Sequence, residues 1–204
     1  EGTVRALTAA AGGTFHEAVV SDPLGRRTTA VFGLFNQGKT AVMEMSSASG
    51  IALLQKTELN PLKTSTYGTG ELIRAILDHG AREIIIGIGG SATVDGGAGM
   101  AQALGFRLLD QNHQELERGG GSLIHLQEID ISHADPRLKE TTFHTACDVT
   151  SPLLGPKGAA AVFGPQKGAT PEMVQLLEKG LSRLSEIWKS SGLLSCADQR
   201  GDGA

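Results

Sequence analysis

Cysteine, long apolar runs and blocks of one charge are all scarce in this sequence. Its two cysteines, Cys147 and Cys196, stand far apart and in no metal-ligand spacing. That usage is expected of a reduced, cytoplasmic protein. No apolar run approaches the roughly 20 residues that a membrane-spanning helix needs. No signal peptide opens the chain, and with neither a basic block nor a long apolar run no membrane partner is expected. Lys and Arg number 18 against 22 Asp and Glu, for a net charge of −4. Without a basic block, nucleic acid is not an expected partner either. The six histidines are scattered at no ligand spacing, and no Ser/His/Asp or Cys/His arrangement can be argued from residue order.

What is present describes a globular protein: 40% hydrophobic and 20% charged residues over 204 positions. That length suits one large domain, or one domain and part of another. Glycine is abundant, 28 residues at no collagen period, which implies tight turns or backbone-lined sites. The chain opens at Glu1 without an initiator Met, in what reads as a helix already under way. It closes in a polar tail over residues 197–204, and the expectation is a piece of a longer protein.

Residues 4–11 are Ala-rich and helix-prone, stopped by Gly12-Gly13. Residues 15–20 and 28–35 favour strand and are joined by the turn sequence S-D-P-L-G. Residues 39–45 alternate in period 2, which completes a β-meander. From residue 71 the pattern changes. Leu72, Ile73, Ile76 and Leu77 have the spacing of an amphipathic helix. Residues 83–88 form a short apolar strand, as in a sheet covered on both faces. A Gly-rich loop and a helix through Met100 and Leu104 follow. This helix–strand–Gly-rich loop–helix unit belongs to an α/β fold. Residues 106–109 and 143–149 are further strand candidates, with polar, loop-rich sequence between them. Thr170 caps a last helix with Pro171 at its first position. Met173, Leu177, Leu181, Leu184 and Trp188 form its apolar stripe.

Two stretches invite a ligand. G-L-F-N-Q-G-K-T, residues 33–40, satisfies the P-loop pattern at every fixed position. A P-loop NTPase using Gly33–Thr40 requires a helix beginning at Lys39. The alternation that follows fits a hairpin with Asn36-Gln37-Gly38 at its tip instead. The second stretch, G-I-G-G-S-A-T-V-D-G-G-A-G-M from Gly87 to Met100, lies directly after a buried strand and before a helix. Ligands of α/β proteins bind at the carboxyl ends of such strands. Gly89 and Gly90 allow close backbone approach, Ser91 and Thr93 offer hydroxyls, and Asp95 is a carboxylate at the next helix. Asp95 reads equally as a helix N-cap. Asp148 and Thr150, in C-D-V-T, follow another strand, and Asp148 either faces the same crevice or starts a turn. Lys167 meets an anion or only water. A non-catalytic domain that binds a small anion is the rival reading from another class.

Further letters decide more. I-I-I-G-I-G-G-S-A-T-V-D-G-G-A-G-M-A-Q-A-L-G at residues 84–105 resembles the signature of the bacterial glycerate kinase family. E-G-T, D-P-L-G, G-K-T-A, E-M-S-S-A-S-G, A-C-D-V-T-S-P-L-L-G and F-G-P-Q-K-G-A-T-P match in the same order. The resemblance implies ATP-dependent phosphorylation of D-glycerate to 2-phosphoglycerate with Mg²⁺. It implies two α/β domains: residues 1–13 are a remnant of a discontinuous Rossmann-like domain, 14–192 an inserted α/β domain, and 193–204 the start of the return segment. It makes the P-loop match a coincidence on a hairpin, and it predicts that these 204 residues alone are inactive. Asp95 and Asp148 become candidates to hold Mg²⁺ or orient the attacking hydroxyl. Gly89, Gly90, Ser91, Thr93, Gly96, Gly97, Thr150 and Lys167 become candidates for substrate or phosphate, and Glu1 would line the cleft from the other domain. The sequence departs from the family at Val94, where Asn is frequent, and at A-D-Q-R-G-D-G-A near its end.

Overall fold

A computed structural model describes residues 2–147 and 149–191. In chain order the first elements are α1 (Thr3–Ala10), β1 (Thr14–Ser21), β2 (Arg27–Phe35), β3 (Thr40–Glu44) and α2 (Ser46–Ser49). Then come α3 (Tyr67–Asp78), β4 (Glu83–Gly87), α4 (Ala98–Ala103), β5 (Arg107–Leu109) and β6 (Glu128–Asp130). The last are β7 (Thr142–Ala146), α5 (Ala159–Phe163) and α6 (Pro171–Ser190).

The meander is antiparallel, β1 on β2 and β2 on β3. The sheet then turns parallel, giving the order β1-β2-β3-β4-β7. Lys39 is exposed just beyond the tip of the β2–β3 hairpin, where Asn36, Gln37 and Gly38 take φ of 52°, 56° and 80°. The residues after Lys39 are therefore strand β3, not a helix. A P-loop needs a helix N-terminus to face a phosphate, so the nucleotide reading of residues 33–40 is overturned.

One face of the sheet carries Ala30, Phe32, Ala41, Met43, Ile84 and Ile86, and α3 lays Leu72, Ile73, Ile76 and Leu77 on it. Each such large side chain contributes roughly 1.5–3 kcal/mol on burial. The other face is covered over β2 and β3 by α1, through Val4 and Thr8. This contact needs Gly33: a Cβ there would overlap the Thr8 side chain. Farther along, β7 is exposed over its whole length, and Ile85 of β4 is half-buried, so only part of this second face is covered. Strand β7 stops at Ala146, short of the expected residue 149, where its partner β4 ends at Gly87.

A second core lies beside the sheet. It joins Val94 and Ala98 to Leu108, Leu123, Leu126 and Ile129, under Leu177, Leu181 and Leu184 of α6. Met173 and Trp188, expected in the same stripe, are half-buried. The stretch 111–140, expected as loop, contains β6, which pairs with β5 and buries Ile129. Helix α6 starts as its sequence predicts, with Thr170 Oγ1 accepting from Met173 N at 3.3 Å. Among the described residues no helix is long and apolar enough to cross a membrane.

Candidate functional site

Three parallel strands end side by side, with Glu44 beside Gly87 and Gly87 beside Ala146. Beyond these ends opens a crevice of about 410 Å³. Glu44 and Ser46 line it from the end of β3. Gly87, Ile88 and Gly89 line it after β4, Ala146 and Cys147 at the end of β7, and Thr3 from α1. Carboxyl ends of parallel strands are where α/β sheets bind ligands. Gly89 is exposed, and a side chain built on it would meet open space. Among the described residues no backbone hydrogen bond claims the amides of Gly89 or Gly90.

Glu44 is the carboxylate among the described lining residues. Its Oε1 accepts from the amides of Gly2 and Thr3, both at 2.7 Å. Gly2 stands at the N-cap of α1 and has no side chain to cap with. Glu44 does that work from 42 positions away, and its charge also suits the positive end of the helix.

Past Gly90 the loop is tied down on both sides. Gly90 O accepts from Ile51 N, and Ala92 N donates to Ser49 O, each at 2.9 Å. Thr64 Oγ1 donates to Ala92 O at 2.8 Å. Val94, at the position where the family often has Asn, is packed into the second core. Asp95 is 1% exposed. Its Oδ2 accepts from Thr66 N at 2.8 Å, Thr66 Oγ1 at 2.9 Å and Gly99 N at 3.3 Å. Its Oδ1 accepts from Gly97 N at 3.3 Å. Thr66 Oγ1 in turn accepts from Met100 N. One carboxylate thus ties the start of α3 to the start of α4. Burial pushes its carboxyl above the usual range, and the four donors pull the other way.

Lys167 is buried as well, 6% exposed. Its ammonium donates to Ser91 Oγ at 2.7 Å and to Thr93 O at 2.6 Å. Burial lowers it from 10.5 to about 8, opposed by the charge of Asp95. Between those values the unfolded chain holds a proton that the folded chain has released. Folding stability therefore rises with pH across that window, and the gain is lost again as pH falls through about 8. The stability of the wild type relative to Lys167→Met is expected to grow by up to about 3 kcal/mol between pH 8 and 10.5. Urea unfolding of both proteins across that range measures it, and a constant difference would contradict it.

The expected site residues thus separate into groups. Gly89 lines the crevice, and exposed Gly90 follows it. Ser91, Thr93 and Lys167 form a polar knot behind the loop. Asp95 is sealed away from the crevice. Gly96 and Gly97 turn the chain into α4 with φ of 57° and 78°. Thr150 is exposed beyond β7. Glu1 and Asp148 lie outside the described residues. The structure adds Thr3, Glu44, Ser46 and Cys147, none of which was singled out from sequence.

A model of the glycerate kinase family matches residues 1–204. The chain is 52% identical over 204 residues to a glycerate kinase of Bacillus subtilis (strain 168), covering 100% of this chain and 53% of that protein. It is 50% identical over 204 residues to the glycerate 2-kinase of Escherichia coli (strain K12), covering 100% of this chain and 54% of that protein. A crystal structure described as glycerate kinase 2 from Salmonella typhimurium LT2 superimposes with a TM-score of 0.97 at 48% identity. It covers 100% of this chain and 55% of the other. The chain spans about half the length of the curated relatives it matches.

Proposed function

The chain belongs to the glycerate kinase family, and on that premise we propose that the whole protein phosphorylates D-glycerate with ATP. In this reading the crevice at the ends of β3, β4 and β7 is one wall of its active site. The product is 2-phosphoglycerate, a position supported by the name of the Escherichia coli relative. The protein works in the cytoplasm, and residues 14–192 are an inserted domain whose flanks, 1–13 and 193–204, lead to a discontinuous Rossmann-like one.

One observation carries the reading: Gly89 lines a crevice beyond parallel strands, and its amide and that of the exposed Gly90 beside it are unclaimed among the described residues. Phosphoryl transfer asks a protein for alignment and charge neutralisation more than covalent chemistry. Bare amides supply donors to an anionic oxygen without a side chain in the way. Behind them, the Lys167 contacts to Ser91 and Thr93 and the Asp95 bonds to Thr66, Gly97 and Gly99 hold the loop's shape. We assign Asp95 and Lys167 to that holding work. Asp148, next in the chain to Cys147, is the carboxylate proposed to orient the substrate hydroxyl.

The family reading includes Mg²⁺. Among the described residues no three or more His, Cys, Asp or Glu side chains gather to hold a metal ion. The oxygens of Asp95 and Glu44 Oε1 are already taken by donors. The described residues therefore do not fit the ion by themselves.

The test is an assay of the full-length protein with ATP, Mg²⁺ and D-glycerate, with the product's phosphate position read by NMR. Turnover to 2-phosphoglycerate is expected. Saturable glycerate binding without turnover would favour the non-catalytic anion-binding reading instead.

A further inference from the structure

The crevice has two chemically different ends. At the loop, the amides of Gly89 and Gly90 are donors without acceptors among the described residues. At the end of β3 stands Glu44, the only Asp or Glu among the described lining residues, which include no Lys, Arg or His. Glu44 Oε1 is occupied by two amides, while Oε2 has no hydrogen-bond partner among the described residues. The hydroxyl-bearing side chains of Thr3 and Ser46 line the same crevice. The position of Glu44 is fixed: its Oε1 is pinned to the start of α1, and its stem lies beside Gly87, where a Cβ would sit 3.4 Å from Glu44 Cγ. A carboxylate held this way is preorganised for a ligand donor.

An anionic group placed against Glu44 would be repelled, whereas a hydroxyl donates to a carboxylate in a strong, charge-assisted bond. We infer that Glu44 is a substrate-contacting residue that accepts a hydroxyl through Oε2, so that ligand hydroxyls lie toward β3 and the ligand's anionic oxygens toward Gly89 and Gly90. The inference rests on the proposed function for the identity of the ligands. Two hydroxyls are the candidates: the 3-hydroxyl of D-glycerate, which the proposed reaction leaves unphosphorylated, and the 2′-hydroxyl of ATP.

The experiment measures equilibrium binding to the full-length protein by calorimetry, which needs no turnover. Dissociation constants are taken for D-glycerate and D-lactate, which lacks the 3-hydroxyl, and for ATP and 2′-deoxy-ATP. They are measured in the wild type and in Glu44→Gln. The amide oxygen that Glu44→Gln introduces can still cap α1, and the thermal midpoint checks that it does. Loss of a hydroxyl bonded to a carboxylate weakens binding by about tenfold or more. If Glu44 holds glycerate, the wild type disfavours D-lactate by that factor and Glu44→Gln, which offers the hydroxyl only a neutral amide, narrows the difference, leaving ATP untouched. If it holds the ribose, the same pattern falls on 2′-deoxy-ATP. A wild type that binds both deoxy ligands as well as their parents overturns the inference without reference to any variant. So does a Glu44→Gln protein that keeps the full hydroxyl preference. Failure of the wild type to phosphorylate glycerate counts against the proposed function alone.

Discussion

Replacing Asp95 by Ala is expected to lower the thermal midpoint of the full-length protein by on the order of 10 °C. Four donors, on Thr66, Gly97 and Gly99, converge on this sealed carboxylate. Alanine leaves all of them facing a void. Buried donors stripped of a charged acceptor cost about 3–5 kcal/mol together, and each kcal/mol moves a domain of this size by roughly 2–4 °C. Asp95→Asn is expected to fall between: its oxygen can serve the three donors on the Oδ2 side, but its NH₂ then opposes Gly97 N–H. Faster hydrogen exchange at the amides of Thr66, Gly97 and Gly99 should accompany both losses. If Asp95 instead acts on the reacting groups, turnover vanishes while the midpoint and exchange rates stay put. That outcome would remove the holding role assigned to it.

Asp95 also shows where the letters stop informing. A carboxylate between a Gly-rich loop and a helix is the same sequence whether it faces ligand or caps the helix. What separates the two is Thr66, 29 positions upstream, and no local pattern points there. Lys167 is a similar case. An isolated Lys is usually solvated, and its acceptors at Ser91 and Thr93 lie 76 and 74 positions away. Glu44 lay in a quoted family block, yet its function as the cap of α1 depends on Gly2 and Thr3. Most of the longer elements were legible, because period is a local property, whereas the short helices α2 and α5 were not. Alternation marked β3, and 3–4 spacing marked α3. The apolar run before Gly87 placed a parallel strand and its crevice. β6 escaped because its one apolar residue, Ile129, stands between Glu128 and Asp130 in polar sequence, and the strand exists through pairing with β5 and the burial of Ile129.

The crevice itself is best tested at Gly89, because there a change in function can be separated from a change in fold. Most glycines in this chain cannot be enlarged without damage. Gly99 would collide with Ser65 and the Tyr67 backbone, and Gly90 holds a φ of 76°. Gly89 is exempt on both counts: it does not need a positive φ, and its missing side chain would point into empty space. In the full-length protein that space is the proposed substrate position. Gly89→Val should therefore fold normally, with a midpoint within about 2 °C of wild type, as for surface changes worth roughly 0.5 kcal/mol. The branched side chain would fill the rim of the crevice and stand over the free amides. Displacing a reactant by about 1 Å can cost roughly 100-fold, so a loss of at least that order in kcat/KM for glycerate is expected, with Gly89→Ala losing less. Full turnover by a well-folded Gly89→Val enzyme would move the active site away from this crevice. A fall in turnover matched by unfolding would show that Gly89 is a packing residue after all.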